Sequence, residues 1–222
     1  VLFLDEVHRL PAVVAEHLYT VLEDSTVTVV LGDANNRQPM TIELEPFTVI
    51  AATTREGLLP APLRDRFMQQ ITLELYSDSD MSTVLNWTAQ AQDIALSPEA
   101  AKALVPACHG TARHAVALIG ACIDTIYSED VVDKPLITTA VARQTLQRLG
   151  FTADGLSTRE VKLLRVLAAA PGPVGLATVA DLLDEEPETI EDVYEPYLLR
   201  AGYLARSPKG RVITPMGKAA VC

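Results

Sequence analysis

At 222 residues, 49% of them hydrophobic, the chain can bury a good core as one large domain or two to three small ones. A formal net charge of −11 and a sequence pI near 4.8 argue against DNA binding by overall charge, so any nucleic-acid contact has to be a local basic patch. No apolar run reaches the roughly 18 residues of a membrane span, no leader pattern opens the chain, and three cysteines without metal-ligand spacing (Cys108, Cys122, Cys222) fit reduced thiols in a cytoplasm.

In chain order, Val1 to Leu4 run straight into Asp5-Glu6, the pattern of a buried parallel strand that delivers carboxylates to its C-terminal edge, where open α/β sheets bind ligands. A strand ending in a solvated acidic turn is the plainer reading of so short a pattern. Pro11 to Asp24 reads as an amphipathic helix with Val14, Leu18, Val21 and Leu22 in its stripe and Glu16, Glu23 and Asp24 outside it. Two β-type runs, Thr26 to Leu31 and Met40 to Leu44, flank the turn formers of 32–39 as a hairpin. A second buried strand, Phe47 to Ala52, ends in Thr53-Thr54-Arg55.

In the stretch Ala61 to Phe67, Arg64 and Arg66 stand two apart around Asp65 and cannot share a helix face. One can be held by Asp65 while the other projects toward a phosphate; a surface salt-bridged turn is the alternative. Leu73 to Tyr76 reads as one more short strand. Four helical stretches follow, Met81 to Gln92, Pro98 to Pro106, Thr111 to Tyr127 and Thr138 to Leu149, a small bundle in which Thr111 is a plausible N-cap. Gly120, inside the third, costs about 1 kcal/mol relative to Ala, so that helix relies on packing. Cys108, His109 and His114 lack the paired spacing of a zinc site.

After the linker Phe151 to Gly155, Ser157-Thr158-Arg159-Glu160 forms a capping box for a helix whose apolar face holds Val161, Leu164, Leu167 and Ala168. Pro171-Gly172-Pro173 stops it, helices at Thr178 to Leu183 and Pro187 to Leu199 follow, and short strands at Tyr203 to Arg206 and Arg211 to Thr214 flank a tight turn. Three helices and a β-wing make a winged helix. Its third helix carries Glu188, Glu191, Asp192 and Glu195 and is unsuited to reading bases in a major groove. The wing carries Arg206, Lys209 and Arg211, a cationic tip able to grip phosphates without reading sequence, or else a solvated basic turn.

Taken together, the strings FLDEVHRL, AATTREG, APLRDRF, HGTARH and GPVGLATVADLLDEEPETIEDVYEPYLLRAGYLARSPKGR resemble, in order and over essentially the whole chain, the RuvB family of ATP-driven motors that branch-migrate Holliday junctions. The resemblance implies an α/β plus α architecture: the C-terminal part of an AAA+ P-loop ATPase core at 1–76, a helical lid at 77–150 and a winged-helix DNA-binding domain at 151–222. It implies ATP and Mg²⁺ as cofactors, with Asp5 holding the metal through the nucleotide, Glu6 polarising the attacking water and Thr53 and Thr54 as sensor 1. Arg66 becomes the finger that reaches a neighbour's nucleotide, and Arg113 becomes sensor 2 of the lid. Glu23, Asp24 and Tyr76 join the nucleotide-binding candidates.

The partners implied are four-way-junction and duplex DNA, gripped without sequence preference by Arg206, Lys209 and Arg211, a RuvA-like protein docked on Met40 and Ile42, and further copies in a ring expected to be a hexamer. The family has proline where Ala112 stands and a basic run where Ala117 to Ala121 stand, a departure in the lid's outer contacts. The family's preceding segment, with its phosphate-cradling glycine loop and Lys, is not among these residues, so the chain alone is expected not to hydrolyse ATP. A non-catalytic DNA-binding or RuvA-docking scaffold is the alternative. A clamp-loader relative is a second one, against which the winged-helix strings discriminate.

Overall fold

The computed structural model describes residues 1–31, 38–129 and 135–221. Most of the hairpin turn expected at 32–39 and Cys222 lie outside the described residues. The chain divides into two compact units, Val1–Leu73 and Glu74–Cys222.

In the first unit, β1 (Leu2–Leu4) pairs in parallel with β4 (Val49–Ala51), Phe3 opposite Ile50. This is shorter than the expected Phe47 to Ala52 strand, because only residues in register with β1 find ladder partners. Helix α1 (Ala12–Asp24) buries Ala15 and Val21 and half-buries Leu18 and Leu22, while Val14 stays exposed. Strands β2 (Thr26–Leu31) and β3 (Gln38–Glu43) form the expected antiparallel hairpin, pairing Val27 with Ile42 and Val29 with Met40. The one-turn helix α2 (Ala61–Arg64) sinks Leu63 into the unit's interior. No strand forms at 73–76: that segment has no ladder partner, and the Tyr76 N–H donates to the Gly110 carbonyl at 2.9 Å.

The second unit holds two apolar cores. Around the first pack α3 (Asp78–Gln90), α4 (Pro98–Leu104), α5 (Ala112–Glu129) and α6 (Thr139–Arg148), with Leu85, Leu104, Ile119, Cys122 and Ile137 at its centre. Ser77, Ser97 and Thr138 each accept the backbone N–H three residues on, satisfying donors that a helix start leaves open. A two-residue parallel ladder, β5 (Ala95–Leu96) with β6 (Leu136–Ile137), ties the loops of the bundle together. Burial pushes the Cys108 thiol up to about 12, and its Sγ donates to the Leu104 carbonyl.

The second core joins α7 (Thr158–Ala169), α8 (Leu176–Leu183) and the third helix of the winged helix through Leu156, Leu164, Ile190, Leu198 and Leu204. The capping box of Ser157 and Glu160 is present as expected. The third helix starts as α9 (Pro187–Thr189), widens into a π turn over Ile190–Tyr194 and resumes as α10 (Glu195–Arg200). Pro196 explains the widening: it lacks an N–H and its ring would clash with the carbonyl one α-turn back, and an i→i−5 bond from the Glu195 N–H to the Ile190 carbonyl absorbs the mismatch. The wing is β7 (Leu204–Ser207) paired with β8 (Gly210–Ile213), and Val174 exchanges both backbone hydrogen bonds with Arg211. A last helix, α11 (Pro215–Val221), closes the domain.

Candidate functional site

The strand-end site follows from the parallel ladder. Beyond β1 the Ala52 N–H donates to the Leu4 carbonyl at 2.8 Å and the Val7 N–H to the Ala52 carbonyl at 3.0 Å, so Asp5-Glu6 and Thr53-Thr54 leave the sheet side by side. Glu6 takes a left-handed conformation (φ 47°, ψ 47°), which costs a non-glycine residue about 1 kcal/mol or more. Its carboxylate accepts the Thr54 hydroxyl at 3.1 Å. His8 completes the cluster: its side chain is only 8% exposed, and Nδ1 lies 3.1 Å from Glu6 Oε2 and 2.9 Å from Thr53 Oγ1. A carboxylate only accepts, so Nδ1 carries the proton there and ties the two strand ends together.

Asp5 is exposed and spends Oδ1 on the Glu6 N–H at 3.0 Å. A single exposed carboxylate at a strand edge fits Mg²⁺ arriving with a nucleotide, since that ion uses one or two carboxylates and fills its shell with phosphate and water. Among the described residues no group of three or more His, Cys, Asp or Glu is arranged to hold a metal by itself.

Arg66 is placed differently from the expectation that Asp65 would hold one arginine while the other projects. Its Nη2 sits 2.6 Å from Glu23 Oε1, its Nη1 donates to the Pro62 carbonyl at 2.5 Å, and its guanidinium lies 4.7 Å over the Tyr19 ring. Glu23, at the end of α1, is therefore the counter-ion of Arg66 in the free chain, and Asp24 beside it is exposed. Met40 and Ile42 are exposed at 45% and 40% and, two residues apart on β3, share one face of the hairpin.

In the second unit the structure brings Tyr76 to the turn that starts α5. Gly110 there has φ +72°, a left-handed conformation that strains any side chain, and a Cβ on it would also crowd Leu75 Cβ at 3.0 Å and the Tyr76 carbonyl at 3.2 Å. Thr111 caps α5 through the His114 N–H at 3.4 Å, and Arg113 is exposed in its first turn.

On the wing, Arg206 and Arg211 face each other across the β7–β8 pair and converge on the third helix. Arg211 Nε lies 2.5 Å from Glu195 Oε1 and its Nη2 lies 3.0 Å from Glu191; Arg206 Nη2 lies 2.6 Å from Glu195 Oε2. The Glu195 side chain is wholly buried, that of Arg211 is 12% exposed and that of Arg206 is 48% exposed. Two acids of the third helix, which in sequence only argued against a groove-reading helix, are thus the wing's own counter-ions. Arg206 and Lys209 are the exposed cations of the tip.

Sequence reasoning missed His8, although it stands in the opening motif, and missed Glu23 and Glu195 as partners of the arginines. A histidine three residues past a strand-end acid was the available signal for His8. The glutamate pairings join segments far apart in sequence and carried none.

Comparison with known proteins decides the family. The family described as Holliday junction DNA helicase RuvB P-loop domain matches residues 1–73, and the RuvB C-terminal winged helix domain matches 153–221. A RuvB branch migration complex subunit from Latilactobacillus sakei is 40% identical over 221 residues, covering 99% of this chain and 65% of the relative. This chain belongs to the RuvB family. A second RuvB, from Chloroflexus aggregans, is 43% identical over 216 residues, 96% of this chain and 61% of that protein. The chain spans a little less than two thirds of the curated RuvB relatives it matches. Among solved structures, the Thermotoga maritima RuvB Holliday junction branch migration motor superposes with a TM-score of 0.79 at 32% identity, over 99% of this chain and 68% of that one. A point mutant of the same RuvB gives 0.81 at 33% identity, over 99% and 69%. The RuvB P-loop match ends where the first unit ends, at Leu73. No helix among the described residues is long and apolar enough to cross a membrane.

Proposed function

We propose that this chain is a subunit of an ATP-driven, Holliday-junction branch-migrating motor acting in recombination and repair. The observation that carries the reading is the strand-end cluster: the parallel pairing of β1 and β4 sets a Mg²⁺-competent Asp5 and a hydrogen-bonded Glu6 beside the Thr53 and Thr54 hydroxyls, within a chain whose other end is a winged helix with a cationic wing. In this reading Glu6 orients the attacking water, Thr53 and Thr54 sense the terminal phosphate, and Arg113 and Tyr76 contact nucleotide from the lid. Arg66 leaves Glu23 to reach the nucleotide of the next subunit, which requires a ring, taken as a hexamer. Met40 and Ile42 offer an exposed apolar strip to a RuvA-like partner. Working boundaries near 76 and 150 separate the ATPase part, the lid and the winged helix.

DNA is held in this reading by phosphate contacts from Arg206 and Lys209, with Arg211 bracing the wing behind them. Fluorescence anisotropy with four-way-junction and duplex DNA across a salt series tests it. Binding should weaken linearly in log salt, and an Arg206→Ala/Lys209→Ala variant should lose most of the affinity with a slope lower by about 0.9 per contact removed. Absence of binding by the wild-type chain at low salt would sink the proposal.

A further inference from the structure

The helical bundle and the winged helix belong to one compact unit, and a single side chain ties much of one to the other. His109 ends the short 3-10 turn Val105–Cys108 in a left-handed conformation, φ 51°. Its ring lies flat on Tyr197 of α10, centroids 3.5 Å apart and planes 8° from parallel. Nε2 is 2.8 Å from the Gly155 carbonyl of the linker, and because a carbonyl accepts, Nε2 carries the proton. Nδ1 faces Glu160 Oε1 of α7 at 3.8 Å, while His114 and Phe151 stand edge-on at 5.5 and 6.4 Å. The linker is pressed onto the turn that bears His109: Gly155 has φ +77°, and a side chain there would come within 2.4 Å of the Pro106 carbonyl carbon. Linker, α7 and α10 thus converge on one residue of the bundle.

We propose that His109 is a latch, a positioning residue that makes the bundle and the winged helix move as one body while its ring is neutral and lets them uncouple when it is protonated. Burial is the largest influence on the ring and disfavours its charge, with His114 and Arg200 acting the same way; the Gly155 carbonyl and Glu160 oppose, and the net holds His109 below the usual 6.5. Tyr197, which also faces Asp78 and Asp154, has its hydroxyl pushed up to about 12 by burial and stays neutral throughout. A histidine held low contributes stability that is fully present above the unfolded value of 6.5 and is lost as pH falls. The latch is closed near pH 7.5 and loosens in acid.

The test is a urea titration of the full chain read by hydrogen exchange and mass spectrometry, following α4 and α6 for the bundle and α7 and α8 for the winged helix. At pH 7.5 the two midpoints should coincide in the wild type and separate by about 0.5 M in His109→Ala and in Tyr197→Leu, which removes the stack from the other side. At pH 5.5 they should separate in the wild type but not in His109→Gln, whose amide can still donate to Gly155 and does not titrate. A variant that only lowers both midpoints together, a wild type already split at pH 7.5, or the same acid splitting in His109→Gln overturns the proposal. Its use in carrying nucleotide-driven movement to the wing rests on the motor reading above. The coupling itself is measured without nucleotide or DNA, so it can fail while junction binding stands, or stand while junction binding fails.

Discussion

Arg66 in the first unit and Arg211 on the wing both read in sequence as cations offered to a phosphate, and both lie on a glutamate of their own chain. The glutamates differ. Glu23 is 54% exposed and holds Arg66 by one contact at 2.6 Å, helped by the Tyr19 face; Glu195 is wholly buried and receives two arginines. A pair whose acid is half exposed is worth little and can be exchanged for a better anion, although the Arg66 side chain itself is only 23% exposed, whereas opening a buried pair leaves a charge stranded out of water. The first arrangement suits a residue that must leave its seat, the second a residue that must not. Arg206, with a side chain 48% exposed on that same buried acid, stands between the two.

The sharpest way to break the comparison is Glu195→Ala. It should destabilise the winged helix by roughly 3–5 kcal/mol in urea unfolding, the cost of breaking a buried pair from one side. Glu195→Gln, which keeps part of the hydrogen bonding, should lose less. Next, Arg211→Ala should cost about 2 kcal/mol, because Arg206 still partners Glu195, and should lower junction affinity only as far as it loosens the wing. If Arg211→Ala cut junction affinity at unchanged stability, the assignment of the two wing arginines would have to be exchanged. Lys209→Ala should leave stability within about 0.5 kcal/mol of wild type and lower the salt slope of junction binding by about 0.9. Finally, Glu23→Ala should cost less than about 1 kcal/mol yet speed phenylglyoxal labelling of Arg66, read by peptide mass spectrometry. Unchanged labelling would mean that Tyr19 and the Pro62 carbonyl hold the guanidinium without Glu23.

What was legible in the sequence was local. The helices of the bundle and the capping box at Ser157 and Glu160 announce themselves within a few residues. The apolar runs before Asp5-Glu6 and Thr53-Thr54 announce strands, but not the buried ones expected, since Phe3 is 59% and Ile50 50% exposed. The strand expected at Leu73 to Tyr76 has the right residue types but no neighbour in register, and strand types alone do not make a ladder. The two-residue pairing of Ala95–Leu96 with Leu136–Ile137 is too short for any periodicity to show. The site divided in the same way. Asp5, Glu6, Thr53 and Thr54 were readable as strand ends, but His8 bridging both ends, and the glutamates under each arginine, depend on packing between distant segments.

The π turn in the third helix makes the wing's bracing a matter of residue count. The π turn spends one extra residue on nearly the same rotation as an α turn, so deleting a residue between Ile190 and Tyr194 with Pro196 still in place would press the proline ring against the carbonyl one α-turn back and break the helix there. Glu191 and Glu195 sit on either side of most of that turn, so the break would fall between the wing's two counter-ions. A deletion there, conservative by every measure of composition, should therefore unseat Arg206 and Arg211 together.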